Sequence, residues 1–407
     1  MNSIDRRFSR IATTYAPGQE VQQAIAEFET LSHNERLQGE PVDFSHGNVN
    51  ADAFEPAPGA FDAFVAGVHR GGDQAYTEYR GSIAIRDDLA VKLADFTGRA
   101  LSGGNELIIT PGTQGALFLA IASTVAAGDK VAIVQPDYFA NRKLVEFLDG
   151  EIIPVQLDYL GSEGCAGLDL QQLEDAFKAG ARTFLFSNPN NPAGVVYSSA
   201  EIAEIAMLAN RYKAVVIVDQ LYSRLLYPGA GYAHLRASAI DPDNVITIMG
   251  PSKTESLSGY RLGVAFGAAR LIDRMEKLQA IVSLRAPGYS QAVLTTWFSE
   301  PAGWMAERIA AHEAIRGDLL NVFRTAEGLA VRTPDAGSYL FPRLPALRIS
   351  IHDFVRLLRI QAGVTVTPGT EFSPHASDSV RLNFSQNHRH AVEAVERMLL
   401  LVESYRA

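Results

Sequence analysis

Lys253 and Arg261 lie in one loop, MGPSKTESLSGYRLG (residues 249–263), built largely of Ser, Gly and other small residues. Small neighbours let a primary amine come close to a carbonyl carbon, and an Arg held nearby offers the two-pronged hydrogen bonding that a phosphate prefers. A solvated loop carrying both residues by accident accounts equally well for this segment alone. Asp219 ends the apolar run AVVIVD (214–219). An ionised carboxylate there is costly unless a positive group meets it, and the same carboxylate can also cap the helix that follows. Arg381 sits in SDSVRLNFS (377–385). A planar guanidinium suits a carboxylate because two parallel hydrogen bonds fix its orientation.

Three more segments have the composition of binding loops. TPGTQGALFLA (110–120) is a turn opening into a helix. N–H groups and a hydroxyl at a helix N-terminus bind phosphate well, although a plain helix cap reads the same. SNPNNPAG (187–194) is a Pro/Asn/Gly turn of a common kind. QPDYF (135–139) puts Tyr138 just past an apolar run, where an aromatic ring is either core or a stacking platform.

These residues need a scaffold. The runs KVAIV (130–134), TFLFS (183–187), AVVIVD (214–219) and NVITIM (244–249) are apolar nearly throughout and alternate with amphipathic stretches such as 199–212. That pattern predicts strands buried on both faces of a largely parallel sheet, an α/β domain. Ligands of such sheets sit at the carboxyl ends of the strands, which is where Tyr138, Asp219 and the Lys253 loop fall. After about residue 301 a long helical stretch runs through 323, followed by strand-like segments at 339–344, 364–367 and 379–384 and a last helix. This predicts a smaller α+β domain. The expected division is a large domain at 71–300, a small domain at 301–407, and a segment at 1–70 that joins the small domain.

With 407 residues, 47% hydrophobic and 20% charged, the chain has ample material for a buried core. The 36 Lys and Arg against 46 Asp and Glu, a net charge of -10, give no support for nucleic-acid or acidic-membrane binding. The N-terminus has basic residues without an apolar run after them, so no secretory signal is read. The stretch 116–127 is too short to span a bilayer and predicts a buried helix. One cysteine, Cys165, suits a reducing compartment, and a cytoplasmic location is expected.

Taken together, these segments resemble the class I/II aminotransferases, the aspartate-aminotransferase-like family of fold-type I pyridoxal-5′-phosphate (PLP) enzymes. The spacing of Lys253, Gly259, Arg261 and Gly263 is similar to that family's Schiff-base lysine signature. The resemblance implies that Lys253 joins the cofactor aldehyde and that Asp219 meets the pyridine nitrogen. Asn191 and Tyr222 then reach the phenolic oxygen, and Tyr138 stacks on the ring. Gly112, Thr113, Gln114, Ser252 and Arg261 take the phosphate. AYTEYRGSIAIRDDLA (75–90) resembles the segment from which a tyrosine, here Tyr76, reaches the phosphate of a neighbouring subunit, so a homodimer with shared sites is implied. Arg381, with Asn191 and Gly47, matches the positions that bind the substrate carboxylate, and GVTVTPGTEF (363–372) precedes Arg381 as in relatives. No metal is called for.

Three positions depart from the family pattern. Gln220 stands for a usual Glu whose side chain points away from the cofactor in relatives. Gly250 replaces a Ser hydroxyl on the phosphate, and Pro251 replaces an aliphatic or aromatic residue, so an altered phosphate cup is expected. Arg285 lies near where dicarboxylate-specific relatives place a substrate-binding Arg, but reads here as a helix-surface residue.

The implied reaction moves an amino group between an α-amino acid and a 2-oxo acid. A relative that decarboxylates, eliminates or oxidises amino acids is the alternative, because the bond that breaks depends on side chains around one cofactor. A non-catalytic binding protein on the same fold is a further alternative, opposed by the intact Lys253, Asp219 and Arg261 set.

Overall fold

The computed structural model describes residue 8 and residues 37–45, 49–50, 52–162 and 164–407. Twelve strands are assigned among them: β1 (Val42–Asp43), β2 (Leu107–Pro111), β3 (Lys130–Gln135), β4 (Glu151–Gln156), β5 (Thr183–Ser187), β6 (Val215–Asp219), β7 (Val245–Met249), β8 (Leu262–Gly267), β9 (Tyr339–Leu340), β10 (Val364–Thr365), β11 (Thr367–Pro368) and β12 (Val380–Asn383).

Seven strands form one sheet in the order β2-β8-β7-β6-β5-β3-β4. The pairs β3–β4, β3–β5, β5–β6 and β6–β7 are parallel, and β8 runs against both of its neighbours. The sheet is mostly parallel, as the apolar runs predict. Both its faces are covered: Val134, Phe184, Val216 and Val218 point into one apolar cluster, while Ile133, Leu185, Ile217 and Ile246 point into another. Alternation of successive side chains between two buried faces is why these runs carry almost no polar residues.

The helix predicted at 199–212 is present as Ser199–Tyr212. It starts at a reciprocal cap, in which Ser198 accepts from Glu201 N and the Glu201 carboxylate accepts from Ser198 N. The apolar stretch at 116–127 is helical only as Gly112–Ala122. Past that point the Ser123 and Thr124 hydroxyls both turn back to the Ala120 carbonyl.

The chain changes direction across the sheet between β3 and β5, since β4 lies outside β3 while β5 lies inside it. Crevices form at such a reversal, beyond the carboxyl ends of the strands. The loops after β3, β5, β6 and β7 carry Tyr138, Asn191, Tyr222 and Lys253 to that edge.

The C-terminal part builds a separate apolar cluster from Phe323, Phe354, Leu382 and Met398, and Val42, Phe44 and Phe54 join it. Its sheets are small. β12 pairs antiparallel with β11 and β9, and β1 pairs parallel with β10. The helix expected from 301 begins at Trp304 and ends at Phe323. The strand expected at 339–344 stops at Leu340, because Pro342 has no N–H for a ladder and Arg343 makes only isolated bridges to Ala330 and Ser379. The segment at 364–367 splits at Val366, its two halves pairing with different partners, β1 and β12.

Candidate active site

Lys253, Asp219, Tyr222, Asn191, Arg381, Tyr138, Thr113, Gln114, Ser252 and Arg261 all line one cavity of about 690 Å³ at the strand ends. Asp219 closes β6 between Ser187 of β5 and Ile248 of β7. One of its carboxylate oxygens accepts from Leu221 N at 3.0 Å. Burial pushes its pKa up to about 6, opposed by that N–H and by the Lys253 charge. Burial also lowers the pKa of Lys253, and the positive charges of Arg381 and Arg261 act in the same direction.

Tyr222 OH donates to Tyr339 OH at 2.5 Å, deep in the cavity wall. Burial pushes Tyr222 well above the ordinary phenol range, with Tyr339 the next cause. Arg381 donates through Nη1 to Asn191 Oδ1 (3.1 Å) and through Nη2 to the Ser45 carbonyl (2.6 Å). Its guanidinium lies over the rings of Tyr339 and Phe372, 4.4 and 4.7 Å from their centroids. Tyr138 OH donates to Gln114 Oε1 at 3.1 Å, so the Tyr138 ring is held against the N-terminal turn of helix Gly112–Ala122.

That turn is reached closely by β8 and by Arg261. A Cβ on Gly263 would fall 2.4 Å from Thr113 N, and one on Gly112 would fall 2.8 Å from Arg261 Nη2. Only glycine at 263 lets these two backbones approach so near, and Gly112 also has a positive φ of 76° that favours glycine. Gly250 follows the same logic: a Cβ there would meet Thr113 Cγ2 at 2.7 Å. The space that a serine would use is filled by the threonine methyl.

The chain matches the family described as aminotransferase class I and II over residues 41–397. It belongs to that family. This aminotransferase is 65% identical, with both chains covered in full and a TM-score of 0.92, to an aspartate aminotransferase from Rhodobacter sphaeroides 2.4.1. It is 27% identical to the aspartate aminotransferase of Sulfurisphaera tokodaii over 336 residues, 80% of this chain and 82% of that one. The aspartate/prephenate aminotransferase of Thermus thermophilus is 28% identical over 329 residues, 80% of this chain and 83% of that protein. Membership makes the chain a transferase that moves an amino group between an α-amino acid and a 2-oxo acid, in a family that works with PLP. Its fold is that of the aspartate aminotransferases, fold type I.

Not every expected site residue of this aminotransferase reaches the cavity. Gly47 lies outside the described residues. Tyr76 does not line the cavity and is 79% exposed, with the Arg285 guanidinium 4.3 Å from its ring centroid and 4.5 Å from that of Tyr79. Arg285 is thus not a helix-surface residue: its helix ends at Val282, and its position over two tyrosine rings belongs to the loop beyond. Gln220 is buried and faces His234, its Oε1 3.0 Å from Nδ1, so it points away from the cavity.

Several residues escaped the sequence reading. Tyr339 and Ser187 line the cavity, and Asp137 lies directly behind it. Asp137 had a signal, an acid between a strand end and Tyr138. The Ser45 carbonyl had none, because any residue type supplies a carbonyl.

Proposed function

We propose that this aminotransferase binds PLP in the cavity at the strand ends, with Lys253 as its amine partner and aspartate as an amino donor. The observation that carries the reading is the meeting of an amine, a carboxylate and a guanidinium, Lys253, Asp219 and Arg381, in one cavity. The residues fit the cofactor. A carboxyl whose ionisation burial opposes is stabilised by a cation against it, which the protonated pyridine nitrogen supplies. The glycine-lined turn at Gly112, with Arg261 beside it, offers N–H groups and a guanidinium to a phosphate. Arg381 lines the same cavity, so its guanidinium stands where a substrate carboxylate can reach it.

In this reading Gly112, Thr113, Gln114, Ser252 and Arg261 hold the phosphate, Tyr138 lies against the ring, and Asn191 and Tyr222 reach the phenolic oxygen. Asp219 keeps a proton on the pyridine nitrogen. Bound there, PLP supplies an aldehyde that condenses with amines and a ring that accepts the electron pair left at the substrate α-carbon. Lys253 Nζ removes the α-proton, and its burial favours the neutral amine that this task needs. Arg381 orients the substrate by its α-carboxylate, which is common to both substrates.

We further infer a cytoplasmic homodimer in which Tyr76 reaches the partner's phosphate. Supporting this, Tyr76 is exposed against the Arg285 guanidinium, and Ile281, Val282 and Leu284, just before Arg285 in the chain, are exposed too, apolar side chains of the kind that a second copy covers. The division into 71–300 and 301–407 is supported by the separate apolar clusters; of the segment placed at 1–70, β1 pairs with β10 of the small domain as proposed, whereas Ala57, Ala60 and Phe64 pack with Leu89, Leu262 and Trp297 of the large one.

The test uses PLP-loaded protein given aspartate and no acceptor. One equivalent of 2-oxo acid per site is expected, and a second 2-oxo acid then takes up the retained amino group. Continuing release of carbon dioxide, ammonia or peroxide overturns the reaction. Product from another amino acid but not from aspartate overturns only the donor. Borohydride is expected to fix the cofactor on Lys253, and a peptide map that puts it on another lysine overturns the site.

A further inference from the structure

We propose that Asp137 is a positioning residue for transamination, a single buried carboxylate that sets the substrate-binding arm of Asn191 and Arg381 through Ser187. The proposal rests on the reading of Arg381 as the carboxylate site.

Asp137 follows β3 and is 2% exposed. Five donors converge on its two oxygens. Oδ1 accepts from Ser187 Oγ (2.5 Å), Tyr138 N (2.5 Å) and Asn141 Nδ2 (3.3 Å). Oδ2 accepts from Ser187 N (2.9 Å) and Asn190 Nδ2 (3.4 Å). A site with donors on both sides calls for a carboxylate, because an amide would turn an N–H toward other N–H groups on one side. Hydrogen bonds from Ser187 and Tyr138 offset part of the burial that pushes its pKa up to about 7.

From Asp137 the bonds run one way into the cavity. With its hydroxyl proton given to Asp137, Ser187 Oγ accepts from Asn191 N at 3.1 Å. Asn191 Oδ1 in turn accepts from Arg381 Nη1 at 3.1 Å. Each link is buried, so each is held with little competition from water. The same carboxylate holds Tyr138 N and, through Asn190, the turn that carries Asn191; Asn190 also donates to the Pro136 carbonyl and accepts from Ala193 N. The loops after β3 and β5 therefore share one anchor, on the side of the cavity away from Lys253's own loop. Asp137 does not line the cavity, and its effect is on where Asn191 and Arg381 stand.

The experiment compares Asp137→Asn, Ser187→Ala, their double variant and Arg381→Leu, all as PLP-loaded protein. For each, KM for amino donor and 2-oxo acid, kcat, the competitive inhibition constant of propionate and the PLP content are measured. Asp137→Asn and Ser187→Ala are each expected to raise both KM values and the propionate constant about tenfold, with kcat within about threefold and PLP content retained. Because they break one chain, the double variant is expected to be no worse than the worse single. Unchanged KM and propionate values in both singles, with only a lowered melting temperature, overturn the proposal and leave Asp137 a structural residue. Multiplying effects in the double variant also overturn it. If Asp137→Asn does not accumulate folded, Ser187→Ala decides alone. If Arg381→Leu itself moves neither KM nor the propionate constant, the reading of Arg381 has failed, and the relay with it; if Arg381→Leu moves them and the other variants do not, the relay alone has failed.

Discussion

Arg381 donates to Asn191 across 190 positions of sequence, Nη1 to Oδ1 at 3.1 Å. With Nη2 on the Ser45 carbonyl and the rings of Tyr339 and Phe372 against it, the guanidinium plane is set before a substrate arrives.

Replacing Arg381 by Leu is therefore expected to weaken both substrates, since both present an α-carboxylate. Loss of a charge-assisted pair in a closed site costs on the order of 2–5 kcal/mol in kcat/KM. Lysine at this position is expected to recover only part, because a point charge lacks the two-pronged geometry. Steady-state kinetics with both substrates checks this; a loss confined to one of them counts against a shared carboxylate site.

A pH dependence follows from Asp219 and Asp137, which burial pushes up to about 6 and about 7. Raised folded-state values mean that stability is fully present below the unfolded carboxylate pKa and is lost as pH rises through the folded one. Protein stripped of PLP is thus expected to lose stability between about pH 4 and about pH 7. Asp219→Asn is expected to remove its own share, on the order of 2–3 kcal/mol above about pH 7. Added PLP is expected to stabilise the wild type more than the variant, since only the wild type offers the pyridine nitrogen a carboxylate. Urea unfolding at acid and neutral pH, with and without PLP, measures each of these, and equal pH profiles for the two proteins would refute the assignment.

Gly250 and Thr113 form a matched pair, because the threonine methyl occupies the place of a Cβ at position 250. Gly250→Ser is expected to push Thr113 off its position and weaken PLP binding, at about 1–3 kcal/mol for overpacking. Adding Thr113→Ser removes the methyl and is expected to restore most of the affinity. Equilibrium dialysis of PLP against the wild type and the two variants reads the result, and a double variant as weak as Gly250→Ser would exclude steric coupling as the cause.

Local sequence determined the elements and their order. The apolar runs became β3, β5, β6 and β7, and the helix Ser199–Tyr212 followed from its cap. These features depend on residues a few positions apart, so periodicity and capping reveal them. The spacing of Lys253, Gly259, Arg261 and Gly263, joined by the segments around Tyr76, Thr113, Tyr138, Asn191, Asp219 and Arg381 in the same order, was enough to suggest the family. Tertiary structure alone decided which residues meet. Tyr222 and Tyr339 are 117 positions apart, and Asp137 and Ser187 are 50 apart. Their contacts exist because β3 and β5 are neighbours in the sheet and because the C-terminal strands pack at its carboxyl edge. The segments that hold β9, β10 and β11 were legible as strand-like, but their bounds were not, for a two-residue strand has no period to read and takes its bounds from its partners.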